Sequence, residues 1–199
     1  MQQQGSEVTL KNPRAVMRIR LTVRQIFDHT ESERKEENMT GKDLVIAWLN
    51  DAHGMENALV QILEHQIKDA KDYPQVQAKL QQHLEQTRRH AELVKGCVEN
   101  LGGKTSTMKT GMATLFGQMQ ALSTGAAKDE MVKNALADYA AENFEVASYT
   151  ALVRAAQELG DLQTARVCQQ ILQEDEEMAL WLRQNLPTLV QQTLLQLTA

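Results

Sequence analysis

The chain is poor in the residues that build sheets, staples and membrane spans. Of its 199 residues only 4% are aromatic, with 10 glycines and just three prolines, Pro13, Pro74 and Pro187. A scarcity of aromatic and turn-forming residues beside abundant Ala, Leu, Gln, Glu and Met excludes a sheet-rich fold and predicts an all-α one. Two cysteines, Cys97 and Cys168, lie far apart inside expected helices. They form no disulfide framework, Cys-rich zinc site or rubredoxin-like pair, and read as buried thiols in a reducing, cytoplasmic setting. A net charge of −5 argues against a globally electropositive nucleic-acid binder. No apolar run approaches the roughly 18 residues of a membrane span, and "MQQQGSEVTLKN" lacks the apolar core of a signal peptide.

Residues 1 to 39 read as an arm and linker. In "RAVMRIRLTVRQIF", Met17, Ile19, Leu21 and Val23 alternate with polar residues as in a strand, while Val16, Ile19, Val23 and Ile26 also suit a helix. The charged "DHTESERKEEN" that follows reads as a solvated linker. The compact domain, 40 to 199, begins at "TGKD", a variant of the capping box. A first helix is expected from Thr40 to Lys71, broken by "KDYP", and a second from Gln75 to Leu101, stopped by Gly102 and Gly103. The long connection "KTSTMKTGMATLFGQMQALSTGAAK" carries a methionine-rich apolar stripe, Met108, Met112, Leu115, Phe116 and Met119, that reads as core filling. A third helix spans Asp129 to Leu159 and a fourth Leu162 to Asn185, with Pro187 restarting a short C-terminal helix. Hairpin, long crossover, hairpin is the connectivity of a ferritin-like four-helix bundle.

Charge interrupts the apolar stripes of these helices. At 100° per residue, Ala135, Tyr139, Glu142, Val146, Tyr149 and Val153 share a face with Glu142 at its middle. In the first helix, Val45, Leu49, Ala52, Val60, Leu63 and Ile67 flank Glu56. In the fourth, Val167, Ile171, Met178 and Leu182 enclose Asp175, with Glu174 at the edge and Glu177 farther round. The second helix puts His83 and Thr87 on its stripe and Gln86 and His90 at its margin. Residues equidistant from a hairpin turn lie at one depth. Glu56 then faces about residue 89, which favours His90 over His83, displaced by about 10 Å. Glu145 faces about residue 175. An unpaired carboxylate costs several kcal/mol to bury, so these converging groups point to bound dications. Carboxylate oxygens with one or two imidazoles suit iron or manganese. The candidate metal ligands are Glu56, His90, Glu142, Glu145 and Glu174 or Asp175. His83 reads as a core or supporting histidine, Tyr139 and Tyr149 as packing, and Glu64, Glu85, Glu92 and Glu99 as solvated.

The segments "LNDAHGMENAL", "QQHLEQTRRHAELV", "ENFEVASYTALVRAAQELGD" and "ILQEDEEMALWL" resemble the bacterial YciE/YciF-type ferritin-like proteins, related to rubrerythrin. The resemblance implies a metal-binding four-helix protein that forms dimers and is linked to stress responses. It assigns no reaction. The Glu-x-x-His pattern of ferritin-like helices is absent: Glu142-x-x-Glu145 and Glu174-x-x-Glu177 stand in two helices, and Thr87 precedes His90. The expectation is therefore a carboxylate-rich, dinuclear iron or manganese site that reacts with oxygen or peroxide. A non-catalytic stress or scaffold dimer with a vestigial site is the alternative.

The arm puts Arg14, Arg18, Arg20 and Arg24 on an otherwise acidic chain. It is expected either to swap across a dimer or to meet nucleic acid or another anionic surface. Deleting residues 2 to 38 should leave helicity and metal content intact while altering assembly size or salt-sensitive binding, checked by circular dichroism and light scattering. Loss of the folded bundle would place the arm in the core.

Overall fold

The computed structural model describes residues 39–105 and 128–198. The basic arm, the linker up to residue 38 and the methionine stripe of the crossover lie outside the described residues. Among the described residues four helices lie in the compact unit Gly41–Ala199: α1 Gly41–Asp69, α2 Pro74–Asn100, α3 Glu130–Glu158 and α4 Leu162–Thr198. A single 3-10 turn, Ala70–Asp72, links α1 to α2, and Pro74 sits at the start of α2, where its missing N–H costs no hydrogen bond. Among the described residues there is no strand, and no helix is long and apolar enough to cross a membrane.

The hairpins are α1 with α2 and α3 with α4, and they dock through α1 on α3 and α2 on α4. Glu56 meets Tyr149 and Gln66 meets Asp138, so α3 falls in number as α1 rises. Neighbouring helices are thus antiparallel. The second hairpin turns at Gly160, whose φ of +73° an L side chain adopts only with strain. The Asp161 N–H reaches the Ala156 carbonyl at 2.9 Å, and Asp161 then caps α4 by accepting the Thr164 N–H at 3.0 Å. The sequence reading of four helices in two hairpins agrees with this fold.

The fourth helix departs from expectation at its end. Pro187 lies inside a continuous α4 and does not stop and restart it. Propensity is overridden by packing: Leu182 and Leu189, one on each side of Pro187, are buried in one apolar cluster, with Leu186 packed against it. The Tyr73 hydroxyl also donates to Gln196 Oε1 at 3.2 Å, tying the last turns to the start of α2.

Two apolar clusters fill the interior. One gathers Leu49, Met55, Leu59, Val94, Val98, Leu152 and Ile171; the other gathers Leu63, Leu80, Leu84, Met131, Met178 and Leu182. Between them every helix contributes buried polar side chains. Since the helix passes Pro187 without a backbone donor there, Pro187→Ala should leave the helix content unchanged and stabilise the fold by up to about 3 kcal/mol. Denaturant unfolding followed by circular dichroism checks this, and a loss of stability would show that the proline ring itself packs.

Candidate metal centre

The polar layer is built from short-range spacing on each helix. On α3, Glu142 and Glu145 lie three residues apart and so project from one face; on α2, His83, Thr87 and His90 do the same. Glu56 on α1 and Asp175 on α4 complete the ring. Exposure is 0% for Glu56, 2% for Glu142 and 1% for Glu145, Asp175 and His90, so water does not screen these groups. Ligand atoms of Glu142, Glu145 and Asp175 all lie within 4.8 Å of one another. His90 joins them to α1: its Nδ1 is 3.7 Å from both Glu56 Oε2 and Asp175 Oδ1.

Supporting groups stand behind this ring. The Tyr149 hydroxyl donates to Glu56 Oε1, and His83 Nε2 lies 2.8 Å from Glu142 Oε1. Thr87 donates to the His83 carbonyl at 3.0 Å rather than facing the carboxylates. Behind His90, its Nε2 is 3.1 Å from Glu174 Oε2, a carboxylate that also accepts from Gln86, Arg89 and Gln170. A carboxylate on the far nitrogen of an imidazole fixes the orientation of its ring. The two candidate acids of α4, Glu174 and Asp175, differ in position. Asp175 lies in the ring, whereas Glu174 lies at the rim, 17% exposed. Glu177 is exposed, and the inward i, i+3 pair of α4 is Asp175 with Met178.

Sequence reasoning missed the polar roles of Tyr149, Asp138, Gln66 and Asn134. Tyr149 falls on the predicted stripe, where a phenol reads as packing. Asn134 and Asp138 became visible only with the true inward face of α3, which runs through Asn134, Asp138, Glu142 and Glu145 and leaves Tyr139 and Val146 half-buried, and Gln66 of α1 only through its bond to Asp138. Glu64, Glu85, Glu92 and Glu99 are exposed as expected.

Electrostatics follow from burial and crowding. Burial first, then Glu56, Asp175 and Glu142, push the Glu145 carboxyl well above its usual range. Burial with Glu56 and Glu142 takes Asp175 up to about 10. The same burial and the charges of Glu56 and Glu145 keep the Tyr149 phenol protonated. Burial works against a charged His83, but the adjacent Glu142 outweighs it and the imidazole is raised. Glu174 is lowered: burial opposes its charge, and the hydrogen bonds from Gln170 and His90 more than offset that. Four side-chain oxygens in the ring still lack a hydrogen-bond partner, namely Glu56 Oε2, Glu142 Oε2 and both of Asp175. Unsatisfied buried carboxylate oxygens aimed at one another from three helices fit a hard cation.

Comparison with known proteins gives the family and the fold. A sequence family described as a domain of unknown function (DUF892) matches residues 40–195. The chain belongs to that family. This match, with the bacterioferritin similarity and the fold neighbours given below, supports the YciE/YciF-type ferritin-like family that the sequence segments resemble. A bacterioferritin of Desulfovibrio desulfuricans is 28% identical over 137 residues, 68% of this chain and 70% of its own. The solved structure of a D. desulfuricans bacterioferritin, described by its diiron site in different catalytic states, aligns with a TM-score of 0.60 at 25% identity, over 72% of this chain and 78% of its own. A protein of Xanthomonas campestris pv. campestris aligns with a TM-score of 0.71 at 29% identity, over 80% of this chain and all of its own. The Escherichia coli stress protein YciF, at 22% identity and a TM-score of 0.69, covers 77% of this chain with 98% of its own and shows the same fold. Bacterioferritin similarity and the buried carboxylate cluster together support a ferritin-like metal-binding protein.

The raised carboxyls set a pH dependence for the metal-free protein. A group held above its ordinary value contributes stability that is fully present below that value and is lost as pH rises through the folded one. For Asp175 the window runs from its ordinary 3.8 up to about 10. Metal-free protein should therefore melt at progressively lower temperature from mildly acidic to alkaline pH. Asp175→Asn should flatten that slope and stabilise the metal-free protein at pH 8 by about 1–4 kcal/mol. Thermal melts across pH in a chelating buffer decide it: an unchanged slope in the variant would mean that Asp175 is already ionised and paired.

Proposed function

We propose that this chain holds two redox-active dications, iron or manganese, in its carboxylate layer and reacts them with oxygen or peroxide in protection against stress. The observation that carries the reading is the set of unpartnered carboxylate oxygens of Glu56, Glu142 and Asp175, converging inside an apolar bundle. Glu56, His90, Glu142, Glu145 and Asp175 would hold the metal. When bound, two ferrous ions would each supply one electron to a peroxide molecule, which with two protons leaves as two waters.

The chain's own residues prepare for this. Glu174 orients His90 so that Nδ1 faces the carboxylates. His83 steadies Glu142 and keeps a proton beside it, while Tyr149 fixes one oxygen of Glu56 and leaves the other turned to the centre. Burial of Asp175 and Glu145 makes them carry protons in the metal-free state, so metal binding releases protons to the solvent and tightens as pH rises. The apolar clusters on either side exclude bulk water from the site.

The alternative, a non-catalytic helical dimer with a vestigial site, draws on one observation. Thr87 and Met178 occupy the inward i, i+3 positions of α2 and α4 where Glu-x-x-His would put a glutamate and a histidine. Elemental analysis after iron-supplemented expression separates the readings. Glu56→Ala and Glu142→Ala should each lower iron or manganese stoichiometry by half or more. Ferrous iron loaded anaerobically should be oxidised by peroxide faster than iron in buffer, and Glu142→Ala should bring the rate back to the buffer value. No metal in the wild type, or equal rates in all samples, would leave the scaffold.

A further inference from the structure

A second line of buried polar groups leads away from the centre through an otherwise apolar half of the bundle. Asp138 lies one helical turn, about 6 Å, from Glu142 along α3, and Asn134 one turn farther. From α1, Gln66 donates to Asp138 Oδ1 at 2.8 Å, which leaves the other amide atom, Oε1, buried beside the pair with no hydrogen-bond partner. Gln66 is 4% exposed and Asn134 only 2%, and neither polar atom of the Asn134 side chain has a hydrogen-bond partner. Three residues beyond Gln66, Asp69 has a buried Oδ2 that makes no hydrogen bond and lies 3.7 Å from His65 Nε2, on a side chain 19% exposed. Around them the wall is Leu63, Ala70, Met131 and Ala135. Hydrophobic packing alone gives no reason to place two amides and a carboxylate there.

We propose that Asp69, Gln66, Asn134 and Asp138 form an access path by which a hydrated divalent cation reaches the carboxylate centre from the end of the bundle where α1 finishes and α3 begins. This rests on the metal-binding reading of the centre. Two side-chain amide oxygens and two carboxylates strung along the path can stand in for part of a cation's water shell, and with the charge spread out along it they hold the ion weakly enough to let it move on. The four crowded carboxylates beyond are the stronger trap. Asp138 and Glu142 are both buried four residues apart on α3, so the path joins the centre without an apolar gap of more than one turn. The nearer rim, at Glu174, offers a cation the opposite face: Arg89, Gln86 and Gln170 all direct N–H groups there.

Stopped-flow mixing of the full-length, metal-free protein with Co²⁺, followed by the visible absorption of the bound ion, reads the rate of uptake separately from its final stoichiometry. Asp138→Asn, which keeps shape and removes the charge, should slow uptake about tenfold with the stoichiometry unchanged, and Asn134→Leu, which fills the path with an apolar side chain, should slow it similarly. Asp138→Glu should restore most of the rate, a rescue that a purely structural role would not produce. Uptake at the wild-type rate in both slowed variants would overturn the path and leave the centre standing. Lost stoichiometry in Asp138→Asn would also overturn it, making Asp138 a ligand of the centre. No uptake by the wild type would overturn the metal reading and the path with it. Faster uptake in Arg89→Gln, with Asp138→Asn unaffected, would move the access point to the rim and refute the proposal.

Discussion

Mutual repulsion among four buried carboxyl groups is the constraint around which the rest of this protein is arranged. Glu56, Glu142, Glu145 and Asp175 meet in one layer, and the two apolar clusters that stabilise the bundle also remove the water that would have screened them. Charge of that density in a medium of low polarity has two remedies, protons or metal cations. The raised carboxyls of Glu145 and Asp175 show the first at work in the metal-free protein. The same groups, deprotonated, offer the oxygen-rich surroundings that hard dications bind.

The supporting residues reflect this constraint. Each of Glu56, Glu142 and His90 has one side held by a neighbour, Tyr149, His83 and Glu174 respectively, and the other side turned to the centre. The result is an orientation set before any ion arrives, which lowers the cost of gathering the ligands. Compared with a Glu-x-x-His pair on two helices, Thr87 and Met178 subtract one carboxylate and one imidazole, while Glu145 adds a carboxylate back. The donor set is therefore rich in oxygen with a single imidazole in the ring and a second, His83, beside it. That balance favours harder ions than a histidine-rich site would.

The bundle also treats its two ways out of the layer differently. Cationic and amide N–H groups surround Glu174 at the rim, and oxygens mark the line from Asp138 towards the end of α1. Both features sit on the same four helices that supply the ring. Function here is a property of which helix faces point inwards, and a rotation of any helix by one residue would dismantle both.

The sequence by itself determined the number of helices, their pairing into hairpins and the presence of carboxylates on inward faces. These are local matters: a 3.6-residue period, glycines able to adopt positive φ at 102 and 160, and a connection too long for a simple hairpin. Periodicity put Asp175 within the α4 stripe and Glu174 at its edge; tertiary structure decided what Glu174 meets there, the outer nitrogen of His90. It decided that His83 and His90 both reach the layer, each bonding to a different helix, where depth counting on straight helices favoured His90. It gave the Tyr149 phenol a carboxylate partner and brought Gln66 of α1 to Asp138 of α3 across 72 residues of chain. It also carried α4 through Pro187, since the leucines on either side bury more than the missing N–H loses. Periodicity records which way a side chain leaves its own helix; only the packing of four helices records what it meets.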